Sequence, residues 1–235
     1  MATTYRQLLN NVLIALGEDQ ISGATASITS KYHLLLGLFA NQMKEIVEEQ
    51  HNWRALRTTI SVTVPASTTS GTITGANERS RLYRWQDEMS GEEVPLVFDV
   101  TDPNNPYRLY EMDAAELLKR ITLDTSNGND PQCFFIDNTG EDAMSIRVWP
   151  TPTDERTIQV TMVVPQDRLD AGDLDVNIKV PSRPIEVGVI WYALEERGEE
   201  LGVNGLFNQE AFDRSLGAAI ARDAAEQGEY QLVPV

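Results

Sequence analysis

A single cysteine in 235 residues, Cys133, excludes an intramolecular disulfide and a multi-cysteine zinc site. Between Gln132 and Phe134 it reads as a small buried hydrophobe. Positive charge is also scarce. Nineteen Lys and Arg stand against 36 Asp and Glu, for a formal net charge of −17. A field of that sign repels phosphate backbones and anionic lipid, which argues against general nucleic-acid or membrane binding. No apolar run approaches the ~20 residues of a bilayer span, and the opening MATTYRQLLNNV has no basic stretch leading into an apolar one. Neither a membrane span nor a signal peptide is expected.

Catalytic signatures are missing as well. G-x-x-x-x-G-K-[ST], G-x-G-x-x-G, G-x-S-x-G and H-E-x-x-H are all absent, so phosphate cradles, nucleophile elbows and zincin sites have no support. The two histidines, His33 and His51, lie about 27 Å apart along one predicted helix and cannot share a metal. Neither cofactor nor metal is expected. Carboxylates cluster at Glu48–Glu49, Glu92–Glu93, Glu141–Asp142 and at Glu195, Glu196, Glu199 and Glu200. In the last group like charges recur four residues apart, which weakens a helix by a few tenths of a kcal/mol unless a cation or basic neighbour offsets it. That group supports the one enzymatic alternative, a carboxylate-based hydrolase acting on glycan or through a metal, although an exposed helix face lacks the apolar pocket that raises an acid's pKa. The stretch 124–130 resembles a calcium loop only superficially: its Gly is misplaced and no Glu occupies the twelfth position.

What is present suits a folded chain, with 41% hydrophobic and 23% charged residues in one large domain or one domain with an insertion. Thr4 and Gln7 form a capping box before Leu8, Val12, Leu13 and Leu16, and Gly17 ends that helix. From Ile28 to Trp53, apolar residues recur at helical spacing. At Arg57 the period drops to two, with Ile60, Val62 and Val64 on one face of a strand. Further strands are predicted at 80–85, 94–100, 132–136, 145–149 and 157–164, the last with Ile158, Val160, Met162 and Val164 on one face. A short helix over 112–121, capped by Asp113 with Glu116, turns Leu117, Leu118 and Ile121 inward. After Pro184, Ile185, Val189, Ile190, Ala193 and Leu194 make a helical stripe that Gly202 stops, and Asn208 caps a last helix with Phe207 and Phe212 as a hydrophobic staple.

The predicted class is α+β. Residues 1–56 and 181–228 form a helical bundle, 57–180 an inserted antiparallel β subdomain with the one short helix, and 229–235 an apolar tail. Arg79, Arg81 and Arg84 gather around Tyr83 and Trp85; they suit either a protein contact or pairing with the surplus carboxylates.

Several short motifs occur in a telling order. A Tyr-Arg-Gln-Leu-Leu-Asn helix ends in Leu16-Gly17-Glu18, and a long helix enters Trp53-Arg54-Ala55-Leu56-Arg57-Thr58-Thr59. Pro150-Thr151-Pro152, Val180-Pro181 and Ala193-Leu194-Glu195-Glu196-Arg197-Gly198-Glu199 follow. In this order, across nearly the whole chain, the sequence resembles the head-to-tail adaptor proteins of tailed bacteriophages. The resemblance implies a non-enzymatic virion protein at the head-tail junction, made in the host cytoplasm. It implies a homo-oligomeric ring, commonly of about twelve copies, that joins the portal protein to a tail or nozzle protein. Genome DNA would pass through without specific binding, and an acidic lining would not hold its phosphates. Ring closure needs two complementary faces, expected here as Lys44, Glu48 and Arg54 of one copy against Glu196, Glu200 and Arg214 of the next. The apolar tail residues Tyr230, Leu232, Val233 and Val235 are expected to dock on the portal. A binding module with another ligand is the remaining reading, separated by oligomeric state.

Overall fold

The computed structural model describes residues 3–22, 30–86, 91–123, 130–137, 144–198 and 203–229. Thr4 caps helix α1 (Tyr5–Ala15): its hydroxyl accepts from the Gln7 N–H at 3.2 Å while Gln7 Oε1 accepts from the Thr4 N–H at 3.0 Å. Both donors of the predicted box are thereby satisfied. Gly17, at φ 71°, closes the helix, with the Glu18 N–H on the Leu13 carbonyl and the Gly17 N–H on that of Ile14. Helix α2 (Lys31–Gln50) starts at Ser30, whose Oγ accepts from the His33 N–H. It is shorter than the predicted run. Ile28 lies outside the described residues, and Trp53 sits past the helix end, buried, with its indole N–H on the Val47 carbonyl at 2.6 Å.

Eleven strands and one helix follow among the described residues: β1 (Arg57–Val64), β2 (Ser70–Thr72), β3 (Arg81–Leu82), β4 (Arg84–Gln86), β5 (Glu93–Pro95), β6 (Val97–Asp99), β7 (Tyr107–Arg108), β8 (Tyr110–Glu111), α3 (Ala114–Leu123), β9 (Cys133–Asp137), β10 (Ser145–Trp149) and β11 (Arg156–Val163). One sheet has the order β1-β11-β6-β7, with β3 also on β11; a second has β2-β10-β9-β8; β4 and β5 form a ribbon. All pairs are antiparallel except β8 with β9. Val62, Val64, Phe134, Ile146, Val148, Ile158, Val160 and Met162 form the core here, as period-two alternation requires; Val164 is only half-buried. In α3, Asp113 Oδ1 accepts from the Ala115 N–H at 2.9 Å, and Leu117 is buried. Leu118, predicted inward, is 43% exposed, because the next residue on a helix turns about 100° away from the buried face.

The last two helices are α4 (Ser182–Glu196) and α5 (Val203–Glu229). Gly198, at φ 67°, ends α4 earlier than the predicted Gly202, which lies outside the described residues. Helix α5 begins before Asn208, so Asn208 is interior rather than a cap, and the predicted staple does not form: Phe212 is buried and Phe207 is 68% exposed.

The chain divides into two compact units, 1–56 with 166–235 and 57–165. The protein is mixed α+β, as its class was predicted. Residues 166–180, placed by sequence within the inserted β subdomain 57–180, group with the helices: the Tyr5 N–H donates to Val176 O, the Arg6 N–H to Leu174 O and the Ile178 N–H to Thr3 O. In this unit α4 packs on α1, α2 and α5. Gly188 permits the α2 approach, since a Cβ there would stand 2.4 Å from Met43 Sδ.

Candidate functional site

Polar residues of α2 hold the strap formed by residues 166–169. Lys44 is 1% exposed; its Nζ donates to the carbonyls of Gln166 at 2.7 Å and Asp167 at 2.8 Å and lies 3.6 Å from Glu48 Oε1. Glu48, also buried, accepts from the Gln166 N–H at 3.1 Å. One turn earlier Asn41 grips Leu169 at both ends, Nδ2 donating to its carbonyl at 2.8 Å and Oδ1 accepting from its N–H at 2.9 Å. Outside this seam Arg168 meets Glu45 with two hydrogen bonds of 2.7 and 3.0 Å. Buried charge is tolerated only when paired and hydrogen-bonded, and here both conditions hold. Lys44 and Glu48 are therefore internal residues, and the expectation that they face another copy is corrected.

Arg54 also finds its partners within the chain. Its guanidinium pairs with Glu226 of α5, its N–H donates to Asp223 Oδ2 at 3.4 Å, and His51 Nε2 meets the same oxygen at 2.9 Å. These contacts tie the end of α2 to α5 within the subunit. Glu196 and Arg214 do lie on the surface, Arg214 at 76% side-chain exposure and 3.9 Å from Glu210. Glu200 and the tail residues Tyr230, Leu232, Val233 and Val235 lie outside the described residues.

Glu195 accepts from Trp191 Nε1 at 2.8 Å, and Glu195 and Glu196 border an open depression of about 400 Å³ beside Phe39, Gln42 and Tyr192. Glu199, Glu141, Asp142 and residues 124–129 lie outside the described residues. Among those described, no three His, Cys, Asp or Glu are placed to hold a metal, and no helix is long and apolar enough to cross a membrane. Cys133 is half-buried; burial pushes its thiol pKa up and the nearby Arg120 charge pulls it down.

Arg84 and Arg57 serve the chain's own carboxylates and rings. Arg84 binds Glu111 through two bonds of 2.6 and 2.7 Å, and Arg57 lies 4.2 Å over the Tyr83 ring. A cleft of about 330 Å³ opens between Trp53, Val180, Pro181, Ala219 and Arg222, with Asp223 and Glu226 at its side. Asn41, Gln166, Asp223 and Glu226 escaped the sequence reading. Only Asn41 carried a signal, as a polar residue inside an apolar helical stripe.

A family model described as SU10 adaptor protein matches residues 3–233. The chain belongs to the SU10 adaptor family. It is accordingly a structural phage protein of the virion that associates with other head and tail components, and its family is structural rather than catalytic. The likeness drawn from the order of short motifs and the family match cover the same length of chain. No curated protein matches the sequence.

Proposed function

We propose that this SU10 adaptor closes into a ring of about twelve copies between the portal protein and a tail or nozzle protein, with genome DNA passing through the centre. The observation that carries the reading is the family match over residues 3–233. The net charge of −17 favours it, because an acidic wall does not retain passing phosphates by counterion release. Exposed apolar residues Ile14, Leu34 and Leu38 on α1 and α2 supply surface suited to burial against neighbours. Glu196 and Arg214, exposed on α4 and α5, present charge to the neighbouring copy and set register there more than they add affinity. The segment 230–235 docks on the portal through its apolar residues Tyr230, Leu232, Val233 and Val235. Rings assemble in the host cytoplasm and remain in the virion.

Native mass spectrometry of the purified chain, alone and mixed with its portal, tests this. A closed oligomer in either sample is expected; a monomer in both contradicts it.

A further inference from the structure

The backbone hydrogen bonds of β11 reveal which edges of its sheet are open. The Thr161 N–H donates to Leu96 O at 3.0 Å, its carbonyl accepts from the Tyr83 N–H at 3.0 Å, and the Thr157 carbonyl accepts from the Val100 N–H at 2.9 Å. Odd-numbered residues of β11 therefore direct their backbone groups away from β1. In the antiparallel register Thr59 stands opposite Thr161 and Ser61 opposite Gln159. These are non-hydrogen-bonded pairs, so the N–H and C=O of Thr59 and Ser61 point to the free side of β1. The Thr59 and Thr161 hydroxyls, 3.3 Å apart, fit the closer approach of such a pair. Both β1 residues are exposed, and neither has a backbone partner among the described residues. The next outward residue, Thr63, is covered by β2: a Cβ on Gly71 would lie 2.6 Å from its carbonyl oxygen.

Across β11 the sheet has two margins, the two-residue β7 and the longer chain through β3 and β4. Because the Tyr83 N–H faces β11, alternation turns the backbone groups of Leu82, Arg84 and Gln86 outward. The β4–β5 ribbon agrees, since Arg84 stands opposite Pro95, which has no N–H to give. No backbone bond engages Leu82, Arg84 or Gln86 among the described residues. On the far side of the ribbon Pro95 blunts the β5 edge, leaving β4 as the edge able to pair.

Natural edge strands are usually protected by a lysine, a proline or a bulge, and the segment from Thr59 to Thr63 has none of these. We infer that the Thr59–Ser61 edge of one copy pairs with the Leu82–Gln86 edge of the next, so that one sheet continues from subunit to subunit. These two edges lie on opposite sides of β11 and differ from each other, which is what a head-to-tail contact requires. Both β1 and β3 run antiparallel to β11, hence parallel to one another. A step of about 30° per copy, for twelve copies, preserves that orientation, so the new ladder is parallel. Thr59 and Ser61 are neutral, and Arg84 is held by Glu111. This contact deepens the ring reading and rests on it.

Full-length Ser61→Cys and Gln86→Cys variants, prepared separately, mixed and treated with a short bismaleimide, test the pairing, with the wild-type chain and its Cys133 as background. Cross-linked dimers in the mixture at about ten times the yield of either variant alone are expected. Self-linking of Ser61→Cys at the yield of the mixture, or no product above background, overturns the contact; if native mass spectrometry still shows rings, the ring reading survives without it. A second variant, Ser61→Pro, removes an N–H that the fold does not use. It should keep the wild-type circular dichroism and weaken ring assembly by about tenfold or more. A folded Ser61→Pro protein that forms rings as readily as wild type overturns the contact as well.

Discussion

His51 Nε2 and Asp223 Oδ2 lie 2.9 Å apart across 172 positions of sequence and fasten the end of α2 to α5. The same carboxylate oxygen accepts from the Arg54 N–H. Asp223→Ala removes both bonds and should lower stability by about 1–2 kcal/mol, measured by urea denaturation. Arg54→Ala, which breaks a half-exposed pair with Glu226, should cost about 0.5 kcal/mol. Equal losses for the two variants would show that Asp223 is not the anchor.

Removal of Lys44 has a larger expected effect. Lys44→Met leaves the Glu48 carboxylate buried without its cation and strands the carbonyls of Gln166 and Asp167. A loss of about 3 kcal/mol is expected in denaturant titration. Glu48→Gln keeps an acceptor for the Gln166 N–H and should cost less. A loss under about 1 kcal/mol for Lys44→Met would mean that the strap is held by other contacts.

Two glycines separate a rigid clash from a yielding one. At Gly71 a Cβ would meet the Thr63 carbonyl at 2.6 Å and Val62 Cγ1 at 2.8 Å; at Gly188 it would meet the flexible Met43 side chain at 2.4 Å. Gly71→Ala should destabilise by about 2–3 kcal/mol and Gly188→Ala by about 1–2 kcal/mol, because methionine can move and backbone cannot. Thermal melts of both variants check the order.

Alkaline pH should act through Tyr5. Burial, then the charges of Asp173 and Asp170, push its phenol up to about 12, against about 10 in an unfolded chain. The folded state therefore keeps a proton that the unfolded state releases. Its contribution is complete below about pH 10 and is lost as pH rises towards about 12. Tyr107 shifts in the same direction through burial and its hydrogen bond to Asp99 at 2.9 Å. Tyr5→Phe should flatten the loss of stability across that window, followed as denaturation midpoints against pH; a slope equal to wild type would remove Tyr5 from the account.

Local chemistry made much of the fold legible. The Thr4–Gln7 box, the αL turn at Gly17 and the alternation in β1 and β11 depend on residues within a few positions of one another. Of the clustered arginines, Arg84 pairs with the Glu111 carboxylate, a partner that lies 27 positions away. Long-range packing was not legible. Lys44 and Glu48, four residues apart, look like a solvated helix flank until a strap more than a hundred residues later covers them. Asn208 has good cap chemistry, yet α5 runs through it. The open edges of β1 and β4 follow from register, which no sequence period reveals.

Cryo-electron microscopy of the intact particle tests the central claim most directly, that this chain joins head to tail as a closed ring. The account predicts ring density for the chain between portal and tail, with its sheets continuous between neighbours. The chain located elsewhere in the particle, or present there as isolated copies, would contradict it.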